Sequence, residues 1–264
     1  MKPFKILLFF VAIITSAVLV TASSKPVVKS NSTPGKGFAV IELFTSEGCS
    51  SCPSADAVVA KIQKEDLEQP VYILAYHVDY WNRLGWRDVF SNAAFSKRQY
   101  QYANWIKGSS VYTPQIVVNG RKEFIGSKEG TLRNAITSGE KKASSAQLAL
   151  SDLKIEGGKV GFMYYAEGIK DNTNLVYAIV QRNAQTKVEA GENSGRTLSH
   201  VQIVRELQNI TLNGKGSGNT NINLPKGLNT HELEVIAFLQ NQADGEIIAA
   251  YKTNLEAVKI AMAK

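Results

Sequence analysis

Two cysteines, Cys49 and Cys52, constrain this chain more than any other feature, because they are its only cysteines and two residues separate them. The apolar run that precedes them, Phe38 to Phe44, is rich in residues that favour β-strands. The residues that follow, 54–64, carry apolar side chains at helical spacing. The stretch therefore predicts a buried strand, a short turn and a helix, with the cysteines where the helix begins.

The start of a helix is a favourable position for a reactive thiol. Unpaired backbone N–H groups and the positive end of the helix dipole stabilise a thiolate there. We predict that Cys49, as the more exposed cysteine, attacks a substrate and that Cys52 resolves the mixed disulfide. The alternative is a structural disulfide, but a bridge across so small a loop adds little stability through chain entropy.

The N-terminus has the form of a secretory signal peptide. Lys2 and Lys5 precede an apolar run, 7–20, and small residues before Ser23 form a cleavage site. The alternative is an uncleaved membrane anchor, but the run is shorter than the ~20 residues that span a bilayer comfortably. We expect an exported protein, periplasmic or extracellular, with no stable membrane insertion after cleavage.

The charge of the chain gives little support to nucleic-acid binding. The formal net charge of +7 falls to +5 when Lys2 and Lys5 are removed, and the sequence has no run of five or more basic residues.

Export places the two cysteines in an oxidising compartment, where a disulfide persists. With so few cysteines, the stability of the mature chain must come from buried apolar side chains.

Beyond the first helix, strand and helix patterns alternate to about residue 138. The order β-α-β-α-β-β-α predicts parallel pairing of the first two strands. The predicted elements after the first helix are a buried strand at 70–78, a helix at 92–106, a strand at 115–118, a hairpin strand at 122–125 and a helix that Ser127 caps.

This order resembles the thioredoxin fold over residues 38–140. Cys49 and Cys52 follow the first strand, and Thr113-Pro114 opens the third. The resemblance implies that the Thr113–Pro114 peptide bond is cis and lies beside the cysteines, where an extended substrate could pair with the Thr113 backbone. It also implies that Glu42 is the counterpart of the buried acid that thioredoxins keep on the strand before the active site. Glu42 lies one residue further from the first cysteine than that acid does.

Four segments, 42–53, 77–81, 112–115 and 195–200, resemble one family in particular. It is a family of secreted bacterial thioredoxin-like proteins that share a domain of unknown function. The resemblance extends to about residue 250. It implies a fold and a redox-active thiol pair, and it supplies no substrate.

Strand patterns replace helical spacing from about residue 144. Alternating or apolar runs recur between turn signals such as Gly157-Gly158 and Asn213-Gly214, which favours an antiparallel sandwich. We therefore predict an α/β thioredoxin-like domain followed by a β-rich, antiparallel sandwich-like domain. The predicted divisions are a signal peptide (1–22), a linker (23–37), the thioredoxin-like domain (38–142), the β-rich domain (143–255) and a C-terminal tail (256–264).

Four further residues are candidates to support the thiol pair. His77 and Asp79 lie at the carboxyl end of a strand, where α/β proteins place functional groups, but they could equally anchor the adjacent aromatic loop. Trp81 could shape a substrate groove or cover the core, and His200 could lie beside the thiols or be a core histidine. The histidines are scattered and lack ligand spacing, so we predict neither a metal site nor a cofactor.

Two classes of function fit these patterns. The first is an exported thiol–disulfide oxidoreductase-like protein that acts on a thiol- or disulfide-containing protein or small molecule. The second is a non-catalytic secreted binding module on a thioredoxin-like scaffold. An accessible, acidic Cys49 thiol favours the first class, and a buried, inert pair favours the second. The candidate catalytic residues are Cys49, Cys52 and Pro114, and the candidate supporting residues are Glu42, Thr113, His77, Asp79, Trp81 and His200.

Overall fold

A computed structural model describes residues 35–65 and 70–256. The predicted signal peptide (1–22) and nearly all of the predicted linker (23–37) lie outside the described residues, as does the predicted tail beyond residue 256. Within the described ranges, no helix is both long enough and apolar enough to span a bilayer.

Helices and strands alternate in the first part of the described chain. The predicted order β-α-β-α-β-β-α is confirmed, and element bounds differ from the predicted ones by a few residues. The elements are β1 (Ala39–Thr45), α1 (Cys52–Glu65), β2 (Val71–His77), a 3-10 turn (Asn82–Leu84), α2 (Ala93–Trp105), β3 (Gln115–Val118), β4 (Lys122–Ile125) and α3 (Glu129–Lys141).

Strands dominate the second part, as the alternating pattern predicts. The apolar and β-branched residues of these runs favour strands, and turn residues separate them. The elements are β5 (Gln147–Glu156), β6 (Lys159–Glu167), β7 (Thr173–Lys187), β8 (Thr197–Thr211), β9 (Ser217–Asn223), a 3-10 turn (Thr230–Glu232), β10 (Leu233–Asn241) and β11 (Ile247–Asn254).

The predicted fold class is wrong, because strands from both parts form one sheet. The eight-stranded sheet has the order β11-β10-β7-β8-β2-β1-β3-β4, and it runs across the predicted division at residues 142 and 143. The molecule is therefore mostly β, with a large mixed sheet and three α-helices in its described ranges. It is not a thioredoxin-like α/β domain followed by a separate β-domain.

The first part of the chain (β1 to α3) and the second part (β5 to β11) are joined in one sheet by the pairing of β2 with β8. These strands run parallel and share one ladder pair, Ala75 with Ile203. The partners are far apart in sequence, and a strand pattern indicates that a segment pairs without indicating which partner it takes. The local pattern thus predicts the strands correctly and misses the sheet they build.

A second sheet covers one face of the first. It has the order β5-β6-β9 and is antiparallel throughout. Its inner side chains, such as Leu148, Val160 and Phe162, share a core cluster with Tyr177 of β7 and Val235 of β10. This packing gives the second part the sandwich-like layering that its alternation predicts, although one of the two layers continues into the first part.

The two faces of β1 pack against different helices. Ile41 and Leu43 belong to a cluster with residues of α1 and α3, whereas Val40 and Phe44 belong to a cluster with residues of α2. Because side chains alternate along a strand, Glu42 shares the α2 face with Val40 and Phe44. β1 therefore packs against α1 and α3 on one face and against α2 on the other. The cysteines lie at the start of α1, which begins at Cys52.

Candidate functional site

The cysteines lie where the sequence predicts them. A disulfide joins Cys49 to Cys52, with the two Cα atoms 5.4 Å apart. β1 ends at Thr45, and α1 begins at Cys52. Two turn hydrogen bonds connect strand and helix: Cys49 N donates to Ser46 O, and Cys52 N donates to Cys49 O, each at 3.2 Å.

Both cysteines are buried in this disulfide form. Cys49 is 1% exposed and Cys52 is 0% exposed, whereas Ser50 and Ser51 between them are exposed. Exposures of 1% and 0% do not distinguish the two cysteines, so the predicted greater exposure of Cys49 stays a prediction for the reduced protein. The Cys49 Sγ atom lies 3.3 Å from Ser51 Oγ, and segments distant in sequence cover the remainder of the residue.

The first covering segment is the turn between β7 and β8, residues 188–196, here called the hairpin tip. Asn193 Nδ2 donates to Glu47 O at 2.8 Å and to Cys49 O at 2.9 Å. Ser50 N donates to the Glu192 carboxylate at 2.9 Å. Asn193 is 0% exposed, so the hairpin tip is fastened to the backbone on both sides of the disulfide turn.

The second covering segment is the loop that contains Trp81. It brings together three residues that the sequence predicts for the site: Trp81, Thr113 and Pro114. A Cβ atom added to Gly48 would lie 3.2 Å from Trp81 Cβ, so Trp81 lies directly against the residue before Cys49. Trp81 Nε1 donates to Thr113 Oγ1 at 2.8 Å. The Thr113–Pro114 peptide bond is cis, as the resemblance implies. Trp81 thus connects the disulfide turn with the segment that contains Pro114.

Five buried ionisable side chains, two of which flank the disulfide turn in sequence, form one group. We call Glu47, Asp56, His77, Asp88 and His200 the buried histidine–carboxylate cluster; each is at most 7% exposed. Glu47 lies two residues before Cys49. Asp56 lies one helical turn after Cys52 on the buried face of α1. The cluster is therefore continuous with both cysteines along the chain.

His200 lies between two carboxylates of this cluster. Its Nε2 atom is 3.5 Å from a Glu47 oxygen, and its Nδ1 atom is 3.6 Å from an Asp56 oxygen. Burial lowers the pKa of His200, but Asp56 and Glu47 outweigh that effect and raise the pKa to about 9. His200 is consequently an imidazolium at neutral pH.

His77 is held by the other carboxylate of the cluster. Its Nδ1 atom lies 2.7 Å from Asp88 Oδ2, and Asp88 also accepts hydrogen bonds from the backbone N–H groups of Glu47 and Phe90, both at 2.9 Å. Burial raises the pKa of Asp88, but His77 and these two N–H groups lower it below its usual value. Asp88 is therefore ionised, and it fixes the orientation of the His77 ring.

Two candidate supporting residues have other partners. Glu42 lies on the α2 face of β1, where Arg98 Nε donates to its carboxylate at 2.5 Å and Tyr102 also donates to it. Asp79 accepts a hydrogen bond from Ser96 Oγ at 2.5 Å, and its backbone N–H donates to the same hydroxyl at 3.1 Å. Both acids therefore hold α2 against the sheet.

The sequence analysis missed Glu47, Asp56, Asp88 and Asn193. Asp56 could have been found from its position four residues after Cys52, since this spacing puts two side chains on one helix face. Asp88 and Asn193 gave no comparable signal, because each reaches the site from a loop. Within the described ranges, no group of three or more His, Cys, Asp or Glu side chains has an arrangement that could hold a metal ion.

Solved structures provide two comparisons. A protein from Agrobacterium tumefaciens, determined by X-ray crystallography in a structural-genomics programme, is 23% identical. The likeness covers 88% of this chain and 100% of that protein, with a TM-score of 0.63, and it shows the fold. A β-glucosidase from Kluyveromyces marxianus is 13% identical over 52% of this chain and 18% of its own, with a TM-score of 0.24, which carries no argument.

Comparisons of sequence give a family and no curated relative. None of the curated proteins matches the chain. The family described as "Protein of unknown function (DUF1223)" matches residues 40–240. Because these residues make up more than half of the sequence, the chain belongs to the DUF1223 family.

Proposed function

We propose that this protein carries out thiol–disulfide exchange through Cys49 and Cys52 in an exported compartment. One observation carries the proposal: the disulfide turn at the start of α1 is flanked along the chain by two buried carboxylates, Glu47 and Asp56, which both lie within 3.6 Å of the buried His200 ring. So small a loop adds little chain-entropy stability, and buried charges are rare unless they are paired or have a function. Together these features favour chemistry over a purely structural bridge.

The reaction is a pair of exchanges at Cys49. A substrate thiolate attacks Cys49 Sγ, the Cys49–Cys52 bond breaks, and its electron pair leaves on Cys52 Sγ, which takes up a proton. A second substrate thiolate then attacks the substrate sulfur of the mixed disulfide, and Cys49 leaves as a thiolate. The substrate loses two electrons and the protein gains them. Run in reverse, the same steps reduce a substrate disulfide.

The start of α1 and the buried cluster assist these steps electrostatically. N–H groups at the helix start stabilise negative charge that develops on Cys49 or Cys52. Asp56 lies on the same helix face as Cys52, and the His200 imidazolium balances part of the negative charge nearby. Glu47, which directly precedes Gly48 and Cys49 in the chain, places a second carboxylate beside His200.

Access to Cys49 requires movement of the hairpin tip. Asn193 holds the tip to Glu47 and Cys49 through two hydrogen bonds, each worth about 0.5–1.5 kcal/mol. Release of a short turn on this scale is a local opening rather than unfolding. The substrate is a protein or small molecule that bears a thiol or disulfide and can reach the turn once the tip has moved.

Trapping of mixed disulfides tests the proposal. Cys52→Ser lacks the resolving thiol, so it should accumulate mixed disulfides with partners in the exported compartment, and Cys49→Ser should accumulate few or none. Titration of the wild-type couple with defined glutathione ratios should also give a reversible two-electron transition. A couple that does not exchange with glutathione, together with no trapping by either variant, would overturn the proposal.

The burial of both cysteines favours a second candidate, a non-catalytic binding module. In that case the disulfide stays closed, and the surface around the hairpin tip binds a partner. The two candidates differ in what the reduced protein does. A module should bind its partner equally well when oxidised and when changed to Cys49→Ser/Cys52→Ser, and neither single variant should form mixed disulfides.

A further inference from the structure

Part of the loop between β2 and α2 closes on itself beside the disulfide turn. Asp88 N donates to Asn82 Oδ1 at 3.1 Å, so the residues between them form one compact protrusion. Asn82 Nδ2 also donates to Ser91 Oγ at 2.9 Å, which holds the start of the protrusion to a residue beyond its end. We call residues 82–89 the arginine loop. Compact loops whose ends meet are frequently functional.

The buried side of the arginine loop is bound to a residue just before Cys49. Trp86 Nε1 donates to the Glu47 carboxylate at 2.7 Å, and the Asp88 carboxylate accepts a hydrogen bond from Glu47 N at 2.9 Å. Glu47 lies two residues before Cys49 in the chain. These two hydrogen bonds make the arginine loop a fixed neighbour of the disulfide turn.

The exposed side of the arginine loop carries apolar and cationic side chains. Leu84 is 51% exposed and Val89 is 63% exposed. Arg83 and Arg87 are also exposed, and neither guanidinium group has a hydrogen bond or an ion pair with another described residue. The one acid of the loop, Asp88, is 1% exposed. The exposed charge of the loop is therefore wholly positive.

This combination of side chains is typical of the centre of a protein–protein interface. Such centres are enriched in arginine and aromatic residues and depleted in lysine, glutamate and aspartate. Exposed apolar side chains grouped with polar ones also mark interaction sites. Because hydrogen bonds already fix the buried side of the loop, binding of a partner requires little further ordering of its backbone.

The hairpin tip shows which kind of segment lies against this loop. A Cβ atom on Gly191 of the tip would lie 3.3 Å from Trp86 Cβ. The next residue, Glu192, accepts a hydrogen bond from Ser50 N at 2.9 Å. The tip carries two glutamates and one arginine, so its net charge is negative. In the closed structure, an acidic segment thus contacts both the arginine loop and the disulfide turn.

We propose that the arginine loop binds an acidic, apolar segment of a partner protein and so delivers a cysteine of that partner to Cys49. Carboxylates of the partner pair with Arg83 and Arg87, and its apolar side chains pack on Leu84 and Val89. The partner segment replaces the hairpin tip as the tip moves. Charge complementarity of this kind speeds association and disfavours wrong partners. The inference rests on the proposed thiol exchange for the fate of the cysteine, but the docking itself needs no thiol.

Fluorescence anisotropy of labelled peptides with the oxidised mature protein tests the docking. The probes are two cysteine-free peptides of about ten residues, composed of leucine, serine and either glutamate or lysine. The glutamate peptide should bind about tenfold more tightly than the lysine peptide at about 20 mM NaCl, and about 500 mM NaCl should remove most of the difference through screening. Equal affinities for the two peptides at low salt would overturn the proposal.

Variants separate the arginine loop from the basic charge of the whole chain, which is +7. Arg83→Gln/Arg87→Gln should weaken binding of the glutamate peptide about tenfold, and the variant should fold because both side chains are exposed. Lys154→Gln/Lys159→Gln removes the same charge from exposed positions on the second sheet. That control should bind the glutamate peptide within about twofold of wild type. Equal losses in the two variants would overturn the proposed site.

Peptides of the same composition with one added cysteine connect docking to exchange. Each rate of disulfide reduction is divided by the rate of the same peptide with hydroxyethyl disulfide, which removes differences in thiol pKa. The glutamate peptide should then reduce the Cys49–Cys52 disulfide about tenfold faster than the lysine peptide at low salt. Equal normalised rates would overturn the docking proposal and leave thiol exchange intact. Selective binding without any exchange would overturn thiol exchange, and with it the delivery of a cysteine, while the acidic docking surface stands.

Discussion

The rings of His77 and His200 lie edge to face, with their centroids 4.8 Å apart. Each ring has its own carboxylates: Asp88 for His77, and Glu47 with Asp56 for His200. This arrangement places the His200 imidazolium beside a second histidine ring in the protein interior. It also joins β2, α1 and β8, which come from both parts of the chain.

The first prediction concerns the pH dependence of stability. The pKa of His200 is about 9 in the folded protein and about 6.5 in the unfolded chain. A raised pKa contributes stability that is complete below pH 6.5 and is lost as the pH rises through 9; here it is on the order of 3 kcal/mol. The free energy of unfolding of oxidised wild type, from urea denaturation, should therefore fall across this range.

His200→Gln should remove most of this fall, so the variant should differ most from wild type near pH 6.5 and least above pH 9. The groups facing His200 are Glu47, Asp56 and His77, and all three stay in place in the variant. His231→Gln is the matched control, because His231 is exposed and should not change the profile. Parallel profiles for wild type and His200→Gln would contradict the prediction.

The second prediction concerns the hairpin tip. Asn193→Ala removes both hydrogen bonds that hold the tip to Glu47 O and Cys49 O, and the loss of about 1–3 kcal/mol favours the open tip. The disulfide should then be reduced by dithiothreitol about tenfold faster or more. Ser194→Ala is the control, because Ser194 is exposed and bonds only within the tip. Equal rates for the two variants would show that the tip does not govern access.

The secondary structure and the thiol turn could be predicted from sequence because both are local. The prediction used the hydrophobic periodicity of each element, its turn residues and the spacing of Cys49 and Cys52. Each of these can be read within a short window of sequence. The cis bond before Pro114 was also predicted, through the resemblance to the thioredoxin fold.

The sheet and most of the site could not be predicted, because they depend on contacts between distant segments. The pairing of Ala75 with Ile203 joins two predicted domains into one sheet. Asn193 donates a hydrogen bond to Cys49 O from a turn 144 residues further along the chain. Nothing in the hydrophobic periodicity or composition of either segment identifies its partner, so neither the shared sheet nor the contact of Asn193 with the disulfide turn could be predicted.

The third prediction concerns the buried ion pair of Glu42 with Arg98. Arg98 is 5% exposed and also donates to Gln240 Oε1 and Tyr102 Oη, so it stays charged when Glu42 is neutralised. Glu42→Gln keeps the shape of the side chain but leaves a buried cation without its anion, which costs about 3–5 kcal/mol. Urea denaturation at neutral pH should show this loss.

The surface pair of Lys61 with Glu129 provides the control for this measurement. Its atoms are 2.8 Å apart, but the side chains are 55% and 34% exposed. Glu129→Gln should therefore cost much less stability than Glu42→Gln. Similar losses for Glu42→Gln and Glu129→Gln would contradict the prediction.

The fourth prediction uses two glycines that differ in the space around them. A Cβ atom on Gly126 would lie 2.9 Å from Ala55 Cβ and 3.3 Å from Pro114 Cβ, whereas a Cβ atom on Gly130 in α3 meets nothing within 4 Å. Gly126→Ala should therefore cost about 1–3 kcal/mol through overpacking, and Gly130→Ala should add about 0.4–1 kcal/mol of stability. Both changes are read from urea denaturation of the oxidised protein.

The Gly126 contact also tests whether α1 and the Pro114 segment act as one support for the disulfide turn. Ala55 lies three residues after Cys52 on the buried face of α1, so pressure at Ala55 displaces the start of the helix. Gly126→Ala should consequently speed reduction of the disulfide as well as lower stability, whereas Gly130→Ala should leave the rate unchanged. Ala55→Gly combined with Gly126→Ala removes the shortest contact and should slow reduction again. If the double variant reacts as fast as Gly126→Ala, the effect does not pass through α1, and Gly126 acts on the turn by another route.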